Sequence, residues 1–163
     1  RANLAFKNVR DRNGVCCFTR DARSLLMWAH YARSHTGICL AFSVADDMGL
    51  LSLARPVNYT ASFPKLIWPD DKDRVVENVI FHKEEIWRYE REMRLVDRGG
   101  PNRSLRMAPK ALVGVILGAS CSKQTESLVR DMLGERTAKG FPAVRIYQAE
   151  PKIDAYGLRV LSA

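Results

Sequence analysis

Two short apolar runs, Val15–Phe18 and Ile38–Phe42, lie one helix apart, and this spacing constrains the fold more than any other feature of the chain. Between them Leu25, Trp28, Ala29 and Ala32 recur at i, i+3, i+4 and i+7, the positions of one helical face. The stretch CCFTRDARSLLMWAHYARSHTGICLAF therefore reads as strand, helix, strand. Asp21 or Ser24 caps the helix start, and Gly37 supplies the left-handed residue that ends it. His30, Tyr31 and His35 fall on the other faces, as polar aromatics that need partners.

The remaining chain alternates in the same way. Arg1–Asn13 is a polar lead-in, and Ser43–Leu53 a loop. Arg55–Thr60 is a short strand, with Pro56 at its start or on an edge. Pro64, Pro69 and the neighbouring aspartates forbid long regular structure over Ser62–Asp73. Val75, Val79, Ile86 and Trp87, set among charged residues, predict an amphipathic helix over Arg74–Trp87, and Tyr89–Val96 then changes period into a strand. Leu112–Leu117 is a continuous apolar run of the kind that forms a buried strand. Gln124–Leu133 fits a helix capped by Ser122 and stopped at Gly134. Ala143–Tyr147 and Tyr156–Leu161 give two last strands around a turn at Pro151. Several connections are too short for a parallel crossover. The expectation is an α+β fold, a single domain over residues 1–163, with a mixed, largely antiparallel sheet and flanking helices.

Composition bounds the function classes. Apolar residues at 47% and charged residues at 27% belong to a globular chain, and no run approaches the ~18 apolar residues of a membrane span. A net charge of +8 favours a polyanionic partner such as nucleic acid, yet no Lys/Arg run reaches five residues, so a merely basic surface is an equal reading. Cys16, Cys17, Cys39 and Cys121 each sit in or beside an apolar run. They read as buried free thiols in a reducing cytoplasm rather than as a disulfide framework.

Three constellations can carry chemistry. Glu90 and Glu92, two apart on an extended chain, point to one face. Such a pair raises one pKa, and a carboxylate beside a sugar can stabilise an oxocarbenium-like transition state. The alternative is a solvated face on which both glutamates pair with Arg88, Arg91 and Arg94. The second constellation is the helix face with His30, Tyr31 and His35, which can orient a hydroxyl and stack on a planar ring, or can equally be packed helix residues. The third is Thr19 with Arg20, a hydroxyl and a guanidinium at a strand end, suited to a phosphate or a ribose or simply to starting the helix. Cys16 and Cys17 lack CxxC spacing and no HExxH is present, so no metal is expected. The dinucleotide fingerprint, the Walker A loop and the GxSxG elbow are also missing.

The segments CFTRDARSLLMWAHYARSHTGICLAF, PVNY, IWRYEREMRLV, LVGVILGASCS and VRIYQAEPKIDAYGLRVL together resemble the bacterial domain-of-unknown-function family 2971. The resemblance rests on Met27, Trp28, His30, Tyr31, His35 and Gly37 followed by Trp87, Tyr89, Glu90, Glu92 and Arg94, in that order. Thr19 stands where the family usually has serine. The family's N-terminal region with an Asn-Asp-Pro-Phe-like motif has no counterpart here, which implies that an N-terminal part of the domain is missing. More remotely, Glu90 and Glu92 leading into an apolar strand are similar to the catalytic-glutamate strand of ADP-ribosyltransferases. That similarity implies an ADP-ribosyltransferase-like fold and NAD as substrate. Glu92 would be the catalytic carboxylate, with Glu90 its partner. Thr19 would contact the ribose or nicotinamide, and His30 and Tyr31 would be cofactor-binding residues without a firm counterpart. The partners would be a small-molecule nucleotide and an acceptor of the ADP-ribose that the resemblance does not name, with nucleic acid as one candidate. A non-catalytic nucleic-acid- or protein-binding module is the alternative, and a nuclease or other hydrolase a weaker third.

Overall fold

The computed structural model describes residues 11–65 and 75–163. Most of the lead-in expected over Arg1–Asn13 and most of the Pro- and Asp-rich segment lie outside the described residues. The chain forms two compact units, one from Arg1–Arg20 and Ser52–Arg106, the other from Asp21–Leu51 and Met107–Ala163. Together they make an α+β fold with antiparallel and mixed sheets.

The first unit is built on β6 (Glu92–Asp97), the central strand of a three-stranded antiparallel sheet. β1 (Gly14–Thr19) pairs with it from Gly14 opposite Asp97 to Thr19 opposite Glu92, and β3 (Arg55–Pro56) covers its other edge. Pro56 thus lies on an edge strand, where its missing N–H costs no ladder bond. The strand expected over Arg55–Thr60 is broken at Val57. Val57 is buried and donates its N–H to the Glu92 carbonyl at 3.0 Å, after which β4 (Asn58–Thr60) leaves for a second sheet.

The helix expected over Arg74–Trp87 is replaced by three short pieces. These are α2 (Val75–Ile80), β5 (His82–Glu84), and a 3₁₀ helix over Glu85–Glu90. β5 runs parallel to β4 with Tyr59 opposite Lys83, and long-range backbone pairing overrides the local helical pattern. Val75, Ile80, Phe81 and Leu95 are buried in this unit.

In the second unit a four-stranded mixed sheet runs in the order β2 (Ile38–Phe42), β7 (Leu112–Leu117), β8 (Arg145–Pro151), β9 (Leu158–Ser162). β7 and β8 are parallel and are joined through α3 (Lys123–Ala138). Alternation along β7 serves both faces of the sheet. Ile116 packs with Trp28 and Ala32, the inner face of α1 (Leu25–Tyr31) and its C-cap, while Val115 and Leu117 pack with Val129 of α3. Ser24 caps α1 and Ser122 caps α3, each side chain accepting an N–H from the residue three further on. α3 continues through Gly134, whose added Cβ would meet nothing, and the left-handed residue comes only at Gly140.

The end of α1 differs from expectation. Arg33, Ser34 and His35 take the left-handed conformation, with φ of 48°, 52° and 67°, and Gly37 does not. Gly37 is needed for proximity instead, since a Cβ there would lie 3.0 Å from the Ala32 carbonyl oxygen.

Candidate functional site

Glu90, Glu92 and Thr19 are brought together in the first unit, but not by simple strand alternation. Arg91, between the glutamates, caps the 3₁₀ helix in the left-handed region at φ 46° and ψ 43°. Glu90 therefore ends a helix while Glu92 begins β6, and the turn swings both carboxylates onto one cation, Lys83. The Lys83 ammonium pairs with Glu90 Oε2 and lies 3.3 Å from Glu92 Oε2.

Glu92 is held from several sides. Arg94, two residues on and on the same face of β6, grips it with a fork, Nε to Oε1 at 2.7 Å and Nη2 to Oε2 at 2.9 Å. A further Arg94 N–H goes to the Ile80 carbonyl. Across the ladder Cys17 stands opposite Arg94 and Thr19 opposite Glu92, so their side chains share this face. Thr19 donates its hydroxyl to the Glu90 carbonyl at 2.7 Å. Tyr59 Oη accepts the Glu92 N–H at 2.9 Å, and the Lys83 ammonium sits 5.0 Å from the centre of the Trp87 ring.

Glu90 and Glu92 are only 1% and 6% exposed, so the solvated face anticipated as one alternative is absent. Arg88 pairs with Glu85 instead, and Arg94 is the arginine that meets Glu92.

These contacts set the charges. Burial pushes Glu92 up, but the Arg94 fork and charge, the neighbouring Cys17 thiol and the Lys83 charge outweigh it and hold the carboxyl down at about 2. The raised carboxyl pKa expected of a repelling pair is thus reversed for Glu92, because cations stand beside it. Lys83 is pulled down by burial and raised more strongly by its hydrogen bonds and the two glutamate charges. Although Cys17 is exposed as a residue, partial burial of its thiol on this face and then the neighbouring Glu92 carboxylate push it up to about 12, and burial leads in raising Tyr59.

At neutral pH the centre therefore holds an anionic Glu92 with Lys83 and Arg94 as cations, and a neutral thiol and phenol. Glu92 is too weak a base to accept a proton, and Cys17 has too little thiolate to serve as nucleophile. Glu92 stays ionised, paired with these two cations.

His30 and Tyr31 belong to the second unit, at the end of α1, where their rings meet edge-on with centroids 6.3 Å apart. Tyr31 is 63% exposed. Burial also fails for two of the four thiols: all are unpaired, but Cys16 and Cys17 lie on exposed residues of edge strand β1. Sequence reasoning missed Lys83, Tyr59 and Cys17 as members of the centre. The pairing of the PVNY strand with the residues before Trp87 was the signal that could have found the first two, and only the strand register reveals the third.

Among the described residues no group of three or more His, Cys, Asp or Glu side chains is placed to hold a metal ion, and no helix is long and apolar enough to cross a membrane. Comparison with protein-family models, curated proteins and solved structures finds no significant match.

Proposed function

We propose that the chain is an ADP-ribosyltransferase-like enzyme of the family-2971 type, in which Glu92 stabilises the positive charge that develops on the nicotinamide ribose of NAD. The bond from ribose C1′ to nicotinamide breaks, nicotinamide leaves, and C1′ bonds to an acceptor nucleophile. The observation that carries this reading is the Glu92 carboxylate, held at about 2 and clamped by Arg94. Such a group is unsuited to moving protons, and electrostatic stabilisation of a cationic transition state is the chemistry left to it. The four free cysteines suit a reducing, cytoplasmic setting.

Glu92→Gln keeps the shape and removes the charge, so NAD turnover should fall by about 100-fold or more with the far-UV circular dichroism unchanged. Undiminished turnover in a folded variant would overturn the assignment.

A second reading, a non-catalytic polyanion-binding module, is favoured by one observation. The first unit carries 16 Lys and Arg against 10 Asp and Glu, and Arg12, Arg20, Arg98, Arg103 and Arg106 are exposed there. Binding of a nucleic-acid duplex that weakens steeply with salt, with no NAD turnover, would decide for it.

A further inference from the structure

β2 (Ile38–Phe42) is one edge of the second unit's sheet, and among the described residues no strand lies on its outer side. The Gly118 N–H donates to the Gly37 carbonyl at 2.9 Å and the Ser120 N–H to the His35 carbonyl at 3.0 Å. Carried on through the register from Ile38 opposite Leu117 to Ala41 opposite Gly114, this alternation spends the backbone groups of Cys39 and Ala41 on β7 and turns those of Ile38 and Leu40 outward. The outward Leu40 carbonyl has the Cys39 thiol, a weak donor, 3.8 Å away. The Ile38 and Leu40 side chains are 38% and 47% exposed. They share a face with Leu117 and Val115, but α3 covers that face at β7, through Val129, and stops short of β2.

Edge strands are ordinarily guarded by Lys, Pro or a bulge. The stretch from Ile38 to Ala45 holds no charge and no proline, and its one irregularity falls at the end of β2, between Ala41 and Phe42. Charges stand at the two ends instead, and they are opposite in sign. Arg33, exposed and in no salt bridge among the described residues, precedes the strand, while Asp46 and Asp47 follow it. Asp46 is 39% exposed, and its cation, Lys110, is 3.8 Å away.

We propose that β2 is a homodimer interface, in which two copies pair antiparallel about a two-fold axis at Leu40. Each Leu40 N–H donates to the partner's Leu40 carbonyl, the two Leu40 side chains meet at the axis, and the two four-stranded sheets become one. The antiparallel arrangement sets Arg33 of each copy beside the acidic end of the other, whereas a parallel one would set like charges together. A strand with one basic and one acidic end is complementary to itself in this way, which selects a second copy of this chain over an unrelated strand.

Sedimentation velocity at about 1–100 μM, the range of micromolar dissociation constants, should give twice the 18.4 kDa chain mass. Leu40→Pro deletes an outward N–H that β7 does not use, so it should weaken the dimer about 10-fold or more with far-UV circular dichroism unchanged. Should that variant fail to fold, Arg33→Asp carries the test, because Arg33 is left-handed at φ 48° and aspartate tolerates that region well. Arg33→Asp should weaken the dimer roughly 3- to 10-fold, and adding Asp46→Arg should restore it, which a merely structural role would not do. A wild type that is monomeric at about 100 μM would overturn the proposal and leave the edge to another protein's strand. A dimer indifferent to Leu40→Pro, or a charge reversal that Asp46→Arg does not rescue, would overturn it as well.

Discussion

Arg94 and Glu92 stand two residues apart on one strand, yet their side chains form a two-pronged pair at 2.7 and 2.9 Å in a setting where the glutamate is 6% exposed. A buried carboxylate whose main partner is removed is left uncompensated. Arg94→Met should therefore destabilise the protein by about 3–5 kcal/mol, read as a lower urea midpoint.

The depressed Glu92 pKa has a pH consequence with a definite sign. A carboxyl at about 2 when folded and near its ordinary 4.5 when unfolded contributes stability above pH 4.5, and that contribution is lost as pH falls through 2. Its size is roughly 3 kcal/mol at neutral pH. Urea unfolding at pH 7, 4 and 2.5 should show the gap between wild type and Glu92→Gln closing across this window. A gap that stays constant with pH would contradict it.

Arg91 pays the backbone cost of turning Glu90 and Glu92 onto Lys83, since the left-handed region is unfavourable by about 1–2 kcal/mol for a residue with a Cβ. Arg91→Gly should fall within about 1 kcal/mol of wild type or be slightly more stable. Arg91→Val, β-branched at the same φ, should cost about 1–2 kcal/mol. Thermal melts of the two variants test the opposite directions.

Tyr59→Phe removes the acceptor of the Glu92 N–H and nothing else in the ring. The buried donor left behind should cost about 1–3 kcal/mol in denaturant unfolding.

In the second unit, Gly118 admits no side chain. A Cβ there would come within 2.1 Å of the His35 carbonyl oxygen, while the Gly118 N–H donates to Gly37 and that of Ser120 to His35. Gly118→Ala should cost about 1–3 kcal/mol, and more if the backbone cannot shift, which calorimetry would show as a lowered Tm.

The chain's own pattern determined the elements whose hydrophobic period and caps agree. β1, α1 with its Ser24 cap, β2, β7 and the Ser122-capped start of α3 all follow from local spacing, because propensity and burial there demand the same conformation. The pattern also singled out Glu90 and Glu92 as a pair, while only the ADP-ribosyltransferase resemblance implied that Thr19 joins them. Tertiary structure decided the rest. Residues 75–90 look like one amphipathic helix, yet Lys83 is drawn into a parallel pair with Tyr59, since backbone bonds to a distant strand outweigh a weak helical preference. That rearrangement carries Lys83 to the two glutamates and, with the Arg94 fork, turns an expected raised carboxyl pKa at Glu92 into a depressed one. Spacing along a chain can place two carboxylates side by side, but the charge they carry depends on which cations the fold brings to them.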